Sequence, residues 1–149
     1  GVWSFYFPNG QLNNIGEYRN NKKEGPWKYY SSKTSKLWIK NDYKNGLIHG
    51  ISEFYHDNGE VSSRKTYVGG TAEGPDESYR KGGQLWYKGN HVNGKKEGPW
   101  EHYHPNGNLE YIGKYREGSM GGYTVYYHSD GTIDEKRTGN YTNGVKIDD

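Results

Sequence analysis

A period of about 24 residues governs this chain. Six units begin at Gly1, Gly25, Gly50, Gly74, Gly98 and Gly122, spaced 24, 25, 24, 24 and 24 residues. Five residues after each start stands a tyrosine: Tyr6, Tyr30, Tyr55, Tyr79, Tyr103 and Tyr127. An aliphatic residue follows at Leu12, Leu37, Val61, Leu85, Leu109 and Ile133, and then Tyr18, Tyr43, Tyr67, His91, Tyr115 and Tyr141. The hexapeptide Lys-Lys-Glu-Gly-Pro-Trp occurs twice, at 22–27 and at 95–100. Self-similarity at such a period describes supersecondary units that cannot bury an apolar face alone and must stack on their neighbours.

Each unit carries two turn signals. The first is Pro8-Asn9-Gly10, Asp57-Asn58-Gly59, Pro105-Asn106-Gly107 or Ser129-Asp130-Gly131, with Lys81-Gly82-Gly83 as a looser version. The second is Asn45-Gly46, Gly69-Gly70, Asn93-Gly94, Glu117-Gly118 and Asn143-Gly144. Asn or Asp before Gly supplies the positive φ values that tight hairpins require. The predicted fold is all-β: an elongated, twisted antiparallel meander of six stacked β-hairpin repeats, about twelve short strands. The expected organisation is one repeat domain over 1–149, with repeats 1–24, 25–49, 50–73, 74–97, 98–121 and 122–149.

A three-residue Pro-Asn-Gly loop pairs Tyr6 with Leu12, and strict alternation then puts Tyr18 on the same face. This Tyr-Leu-Tyr column is the expected core. The opposite face is expected to display Trp3, Trp27 and Trp100 with Phe5, Tyr29, Phe54, His102 and Tyr126. Ile15, Lys40, Arg64, Lys88 and Ile112 should lie across the hairpins from the Trp positions, with Lys40 close enough to Trp27 for a cation–π contact. Gly16, Gly89 and Gly113 are expected to let aromatic rings lie over backbone. Ser52 and Asp76, standing where other repeats carry Trp, should interrupt the aromatic face.

Composition bounds the chemistry. Val, Ile and Leu are sparse, against 16 Tyr, 5 Trp, 3 Phe and 23 Gly, which suits a thin sheet better than a thick aliphatic core. A formal charge of +2 weighs against nucleic acid as the partner. There is no Cys for disulfides or thiolate chemistry, and no apolar run of membrane-span length, so no membrane insertion is expected. The chain opens on Gly1 in mid-repeat, so a leader would lie outside it. The cytoplasm is the assigned compartment, with secretion and surface anchoring left open. The strand "GVWSFYF" offers almost no charge to blunt an open sheet edge and is expected to be covered, whereas the closing "VKIDD" supplies charge at the other end.

No catalytic constellation emerges, so no enzyme, catalytic residue or cofactor is expected. Glu53, Glu77 and Glu101 recur periodically beside cations, which reads as solvated charge. His102, His104 and His128 invite a metal reading, but equivalent positions in successive hairpins are about 10 Å apart, too far for one ion. No metal is assigned.

The pattern Gly-x-Trp-x-x-Tyr-x-x-Asn-Gly-x-Leu, followed by Gly-x-Tyr and preceded by Asn-Gly-Lys-x-Glu, runs through Asn93 to Tyr115. It resembles the bacterial variant of the MORN repeat, and most closely the YwqK-like antitoxin repeat proteins. That resemblance implies stacked hairpins and a non-catalytic protein-binding scaffold, an antitoxin or immunity-type protein that neutralises a partner protein such as a toxin. The residues expected to bind the partner are Trp3, Trp27, Phe54, Trp86 and Trp100, with Lys40, Arg64 and Lys88 between them. The alternative is a cell-surface or cell-wall glycan-binding module using the same aromatic face.

Overall fold

The computed structural model describes residues 1–147. Thirteen antiparallel strands and no helix occur among them. The chain divides into two compact units, Gly1–Ala72 and Glu73–Asp149. The first holds β1 (Val2–Tyr6), β2 (Leu12–Arg19), β3 (Lys22–Tyr30), β4 (Leu37–Lys44), β5 (Leu47–Tyr55) and β6 (Val61–Val68). Strand β7 (Thr71–Tyr79) begins at the boundary. The second unit continues with β8 (Leu85–Val92), β9 (Lys95–Tyr103), β10 (Leu109–Arg116), β11 (Ser119–Thr124), β12 (Gly139–Thr142) and β13 (Val145–Ile147). Within each unit sheet neighbours are sequence neighbours, as a meander of hairpins requires. The sequence expectation of about twelve strands becomes thirteen because a further short strand, β13, follows the Asn143-Gly144 turn and pairs with β12.

The turns follow their chemistry. Gly10 N donates to Phe7 O at 2.9 Å and Phe7 N to Gln11 O at 2.8 Å, which closes a three-residue loop with Gly10 at φ +82°. The second turns are two-residue loops with both central residues left-handed, as at Asn45 (53°) and Gly46 (87°). Asn20-Asn21, at φ 50° and 60°, does the same work in the first repeat without a glycine. The charge expected of "VKIDD" rests largely on Asp148 and Asp149, which lie outside the described residues.

The loop length fixes the first pair as expected: Tyr6↔Leu12, Tyr30↔Leu37, Tyr55↔Val61, Tyr79↔Leu85 and Tyr103↔Leu109. The next pair departs from simple alternation, because Phe5 faces Asn14, Tyr29 faces Ile39 and Phe54 faces Ser63. One extra residue is bulged out of each second strand: Asn13, Trp38, Ser62, Trp86 and Glu110. A one-residue shift exchanges faces for everything downstream. The Tyr-Leu-Tyr column is therefore corrected. Tyr6 is exposed, and Tyr18 lies on the tryptophan side, edge-on to Trp27 at 5.0 Å.

The core is the row of residues two positions after each repeat start. Trp27 and Trp100 are each 0% exposed, and Ser52, Asp76 and Thr124 at equivalent positions are buried too. Trp3, the sixth member, sits on the edge strand β1 and is exposed. The aromatic face was expected to be a surface, and it is the most buried layer of each unit.

Candidate functional site

The repeated hexapeptide is consumed by packing, residue by residue. Trp27 lies over Gly16, and Trp100 over Gly89, so closely that a Cβ added at either glycine would fall inside the indole ring. The indole Nε1 of Trp27 donates to Glu17 O at 3.1 Å, and that of Trp100 to Asn90 O at 3.1 Å, so neither ring leaves its polar atom unmatched. The second lysine of each hexapeptide covers its tryptophan: Lys23 Nζ stands 4.4 Å from the Trp27 ring centroid, and Lys96 Nζ 4.2 Å from that of Trp100. The glutamate accepts a backbone N–H from the following turn, Asn45 N to Glu24 at 2.9 Å and Glu117 N to Glu97 at 2.8 Å. Gly98, at φ +73°, provides the bend before Pro99 that swings Trp100 inward.

Aromatic rings close the cages. Tyr18 and Tyr43 present their edges to Trp27 at 5.0 and 6.3 Å, and His91 and Tyr115 do the same to Trp100 at 5.2 and 6.1 Å. His91 takes the tyrosine position of its repeat, which places its Nδ1 3.5 Å from the buried carboxylate of Asp76. In the first unit the corresponding space is filled by Ser52 Oγ donating to Asn41 Oδ1 at 2.6 Å. Lys23 Nζ also donates to Tyr29 Oη at 2.8 Å, and Tyr29 and Tyr43 hydroxyls meet at 3.0 Å.

The opposite face is a ladder of charges and tyrosines. The Tyr55 hydroxyl donates to Glu53 at 2.7 Å, and the same Glu-x-Tyr bond recurs between Tyr79 and Glu77 and between Tyr103 and Glu101. That hydroxyl, ahead of Arg64 and Lys40, holds the Glu53 carboxyl below its ordinary range, while burial and the bond to Glu53 push Tyr55 up to about 12. Arg64 Nε donates to Glu53 at 2.8 Å, Lys40 Nζ lies 3.9 Å from it, and Lys88 Nζ lies 3.1 Å from Glu101.

The expected partner-binding residues therefore do not form one patch. Trp27 and Trp100 are corrected from surface to core, because each ring is sealed by glycine backbone below and lysine above. Lys40, Arg64 and Lys88 lie on the other face, and the expected Trp27–Lys40 contact is replaced by Trp27–Lys23. Trp3, Phe54 and Trp86 are exposed, with Arg80 stacked 4.8 Å over Trp86. The sequence reading passed over Trp38, which is 52% exposed and occupies the same bulge position as Trp86. The signal was present: both follow the aliphatic marker of their repeat.

A second aromatic row crosses the second unit. His102 stacks on Tyr111 at 4.4 Å with its ring 9° from parallel, and Tyr126 follows at 4.6 Å. Burial, aided by Lys96 and opposed by Glu110, lowers His102 to about 4, and its Nε2 is buried without a hydrogen-bond partner. The folded chain thus resists a proton that the unfolded chain accepts near pH 6.5. Stability should be full above that pH, fall as pH drops toward 4, and level off below. Allowing for partial exposure, the loss is about 1–2 kcal/mol. Denaturant unfolding of His102→Phe, compared with the parent from pH 7 to 4, should show this share of the pH dependence removed.

No helix among the described residues is long and apolar enough to cross a membrane. Comparison with curated proteins gives no match. Repeats described as the MORN repeat variant are generally protein- or membrane-binding modules, and residues 1–20, 48–68 and 96–117 of this chain match that family's model.

Proposed function

We propose that this chain is a non-catalytic protein-binding scaffold of the bacterial YwqK-like kind, acting in the cytoplasm as an antitoxin or immunity-type protein that neutralises a partner protein. The observation that carries this reading is the division of labour among its aromatics. Those of the repeated hexapeptide are buried as core, while Trp3, Trp38, Phe54 and Trp86 remain exposed on rigid strands or their bulges. Large aromatics with adjacent arginine or lysine, held by a stiff scaffold, are the usual anchors of protein interfaces.

The test is capture of the partner from host extract by the full chain, followed by expression of that partner alone and together with the chain. The captured protein should arrest growth alone and lose that effect on co-expression. Trp86→Ala should weaken capture roughly tenfold or more, as loss of an interface anchor does, and leave the melting temperature unchanged. A captured partner without toxic effect would remove the antitoxin reading. Undiminished capture by variants at Trp3, Phe54 and Trp86 would remove the interface.

A further inference from the structure

In the row two positions after each repeat start, two of the three tryptophans stand under a lysine from four residues earlier: Lys23 over Trp27 and Lys96 over Trp100. Where the row holds Ser52, Asp76 or Thr124 instead, that earlier position holds Ile48, Ala72 or Met120. Lysine and tryptophan therefore occur together, as ammonium and cage. Lys23 Nζ lies 4.4, 5.2 and 5.1 Å from the ring centroids of Trp27, Tyr29 and Tyr43. Lys96 Nζ lies 4.2 Å from Trp100 and 4.9 Å from Tyr115. At such distances the ring quadrupoles attract a cation.

The first repeat builds the same cage with the third tryptophan. Trp3 lies 6.4 Å from Phe5 and 6.1 Å from the edge of Tyr18, while Trp27 lies 6.3 Å from Tyr29 and 6.3 Å from the edge of Tyr43. With Gly1, Asn20 and Asn21 the three rings line a cavity of about 450 Å³. Among the described residues no lysine or arginine stands over Trp3, Phe5 or Tyr18. The Gly1 ammonium is tied to the Tyr18 carbonyl at 2.7 Å.

One substitution sets this cage apart. Phe5 stands where Tyr29 offers Lys23 Nζ a hydroxyl acceptor at 2.8 Å. A primary ammonium is strongly hydrated, and in the first cage it would give up water without that replacement. A quaternary ammonium has no N–H to satisfy, and aromatic cages are its usual receptors. We infer that Trp3, Phe5 and Tyr18 bind the trimethylammonium group of a trimethylated lysine side chain on the partner protein. The two filled cages favour a lysine stem as its carrier, since each already holds one. The protein partner itself is taken from the scaffold reading, which this site deepens by naming the group recognised.

The test titrates the full chain with a short fluorescein-labelled peptide carrying one trimethyllysine, and with the same peptide unmethylated. Fluorescence anisotropy gives the affinities, and the indole N–H resonances give the site. The trimethylated peptide should bind saturably and roughly tenfold more tightly than the unmethylated one. The Trp3 indole should shift, and the Trp100 indole, already under Lys96, should not. Trp3→Ala should weaken binding roughly tenfold and leave the melting temperature nearly unchanged, because the ring is exposed on an edge strand. Phe5→Tyr, which restores the hydroxyl, should strengthen binding of the unmethylated peptide and narrow the preference.

Absence of saturable binding, equal affinity for the two peptides, or undiminished binding by Trp3→Ala overturns the inference. Choline that binds as tightly as the trimethylated peptide, with the same response to Trp3→Ala, would assign the cage to a free solute instead. A host partner captured through Trp86, with no binding of the trimethylated peptide, would leave the scaffold standing and remove this site alone.

Discussion

Trp100→Ala should destabilise the chain by about 3–5 kcal/mol, the range for deletion of a buried aromatic side chain. Three losses combine in it. The indole leaves a void between Gly89 below and Lys96 above, the Asn90 carbonyl loses its Nε1 donor, and the edges of His91 and Tyr115 lose the ring they face. Of the other buried residues of this unit only Met120 and Tyr126 are hydrophobic, and Asp76, Ser78 and Thr124 are polar, so little apolar material is at hand to fill the space. Equilibrium unfolding in urea should show the midpoint displaced far to lower denaturant. Trp86→Ala, on an exposed bulge, should move it by less than about 1 kcal/mol. The contrast separates the two tryptophan classes that the sequence reading grouped together.

Gly89→Ala should cost nearly as much by the reverse operation. Gly89 does not adopt a left-handed φ, so backbone strain plays no part, and the whole effect is the collision of a methyl group with the Trp100 ring. Inserting atoms into a filled site costs about 1–3 kcal/mol, and more where neither side can yield. Here the glycine is strand backbone and the ring is pinned by its hydrogen bond to Asn90. We expect about 3 kcal/mol, at the upper end of that range. The equivalent Gly16→Ala should behave alike against Trp27. Thermal unfolding followed by circular dichroism would read either change, and a loss below about 0.5 kcal/mol would mean that the indole does not rest on that glycine.

Much of the fold was legible because turn chemistry is local. Pro8-Asn9-Gly10 and its counterparts dictate a three-residue loop, and that loop alone fixes the pairing of Tyr6 with Leu12 and its repeats. The glycines under the tryptophans were legible for a similar reason, since Gly16 and Gly89 lack the side chain that an overlying ring would strike; at Gly113, the third glycine so expected, the nearest atom is the Met120 sulfur, with the Tyr115 ring beside it. The bulge was not legible. Asn13, Trp38, Ser62, Trp86 and Glu110 share no residue type, and an extra residue within a strand announces itself by no turn signal. Because side-chain direction has a period of two, that single unseen residue carried Tyr18 to the tryptophan side and Lys40, Arg64 and Lys88 away from it.

Composition held a second clue that strict alternation overrode. A chain so poor in Val, Ile and Leu must bury what large apolar groups it has. Trp27 and Trp100, the tryptophans of the repeated hexapeptide, are the largest available. Lys-Lys-Glu-Gly-Pro-Trp therefore encodes architecture: a cation over the ring, a carboxylate for the next turn, a bend, and an indole driven onto glycine. The exposed bulge tryptophans, Trp38 and Trp86, fall outside that motif and are marked instead by following the aliphatic residue of their repeat, Leu37 and Leu85.

The central claim is that each tryptophan and the glycine beneath it form one packing unit, and a double-mutant cycle on Gly89 and Trp100 measures it directly. If the ring lies on the glycine, Gly89→Ala should be harmful in the parent and nearly neutral once Trp100 is alanine. The two losses would then fall short of additivity by about 2 kcal/mol or more, within the range seen for residues in direct contact. Additivity within about 0.5 kcal/mol, the behaviour of independent sites, would contradict the account.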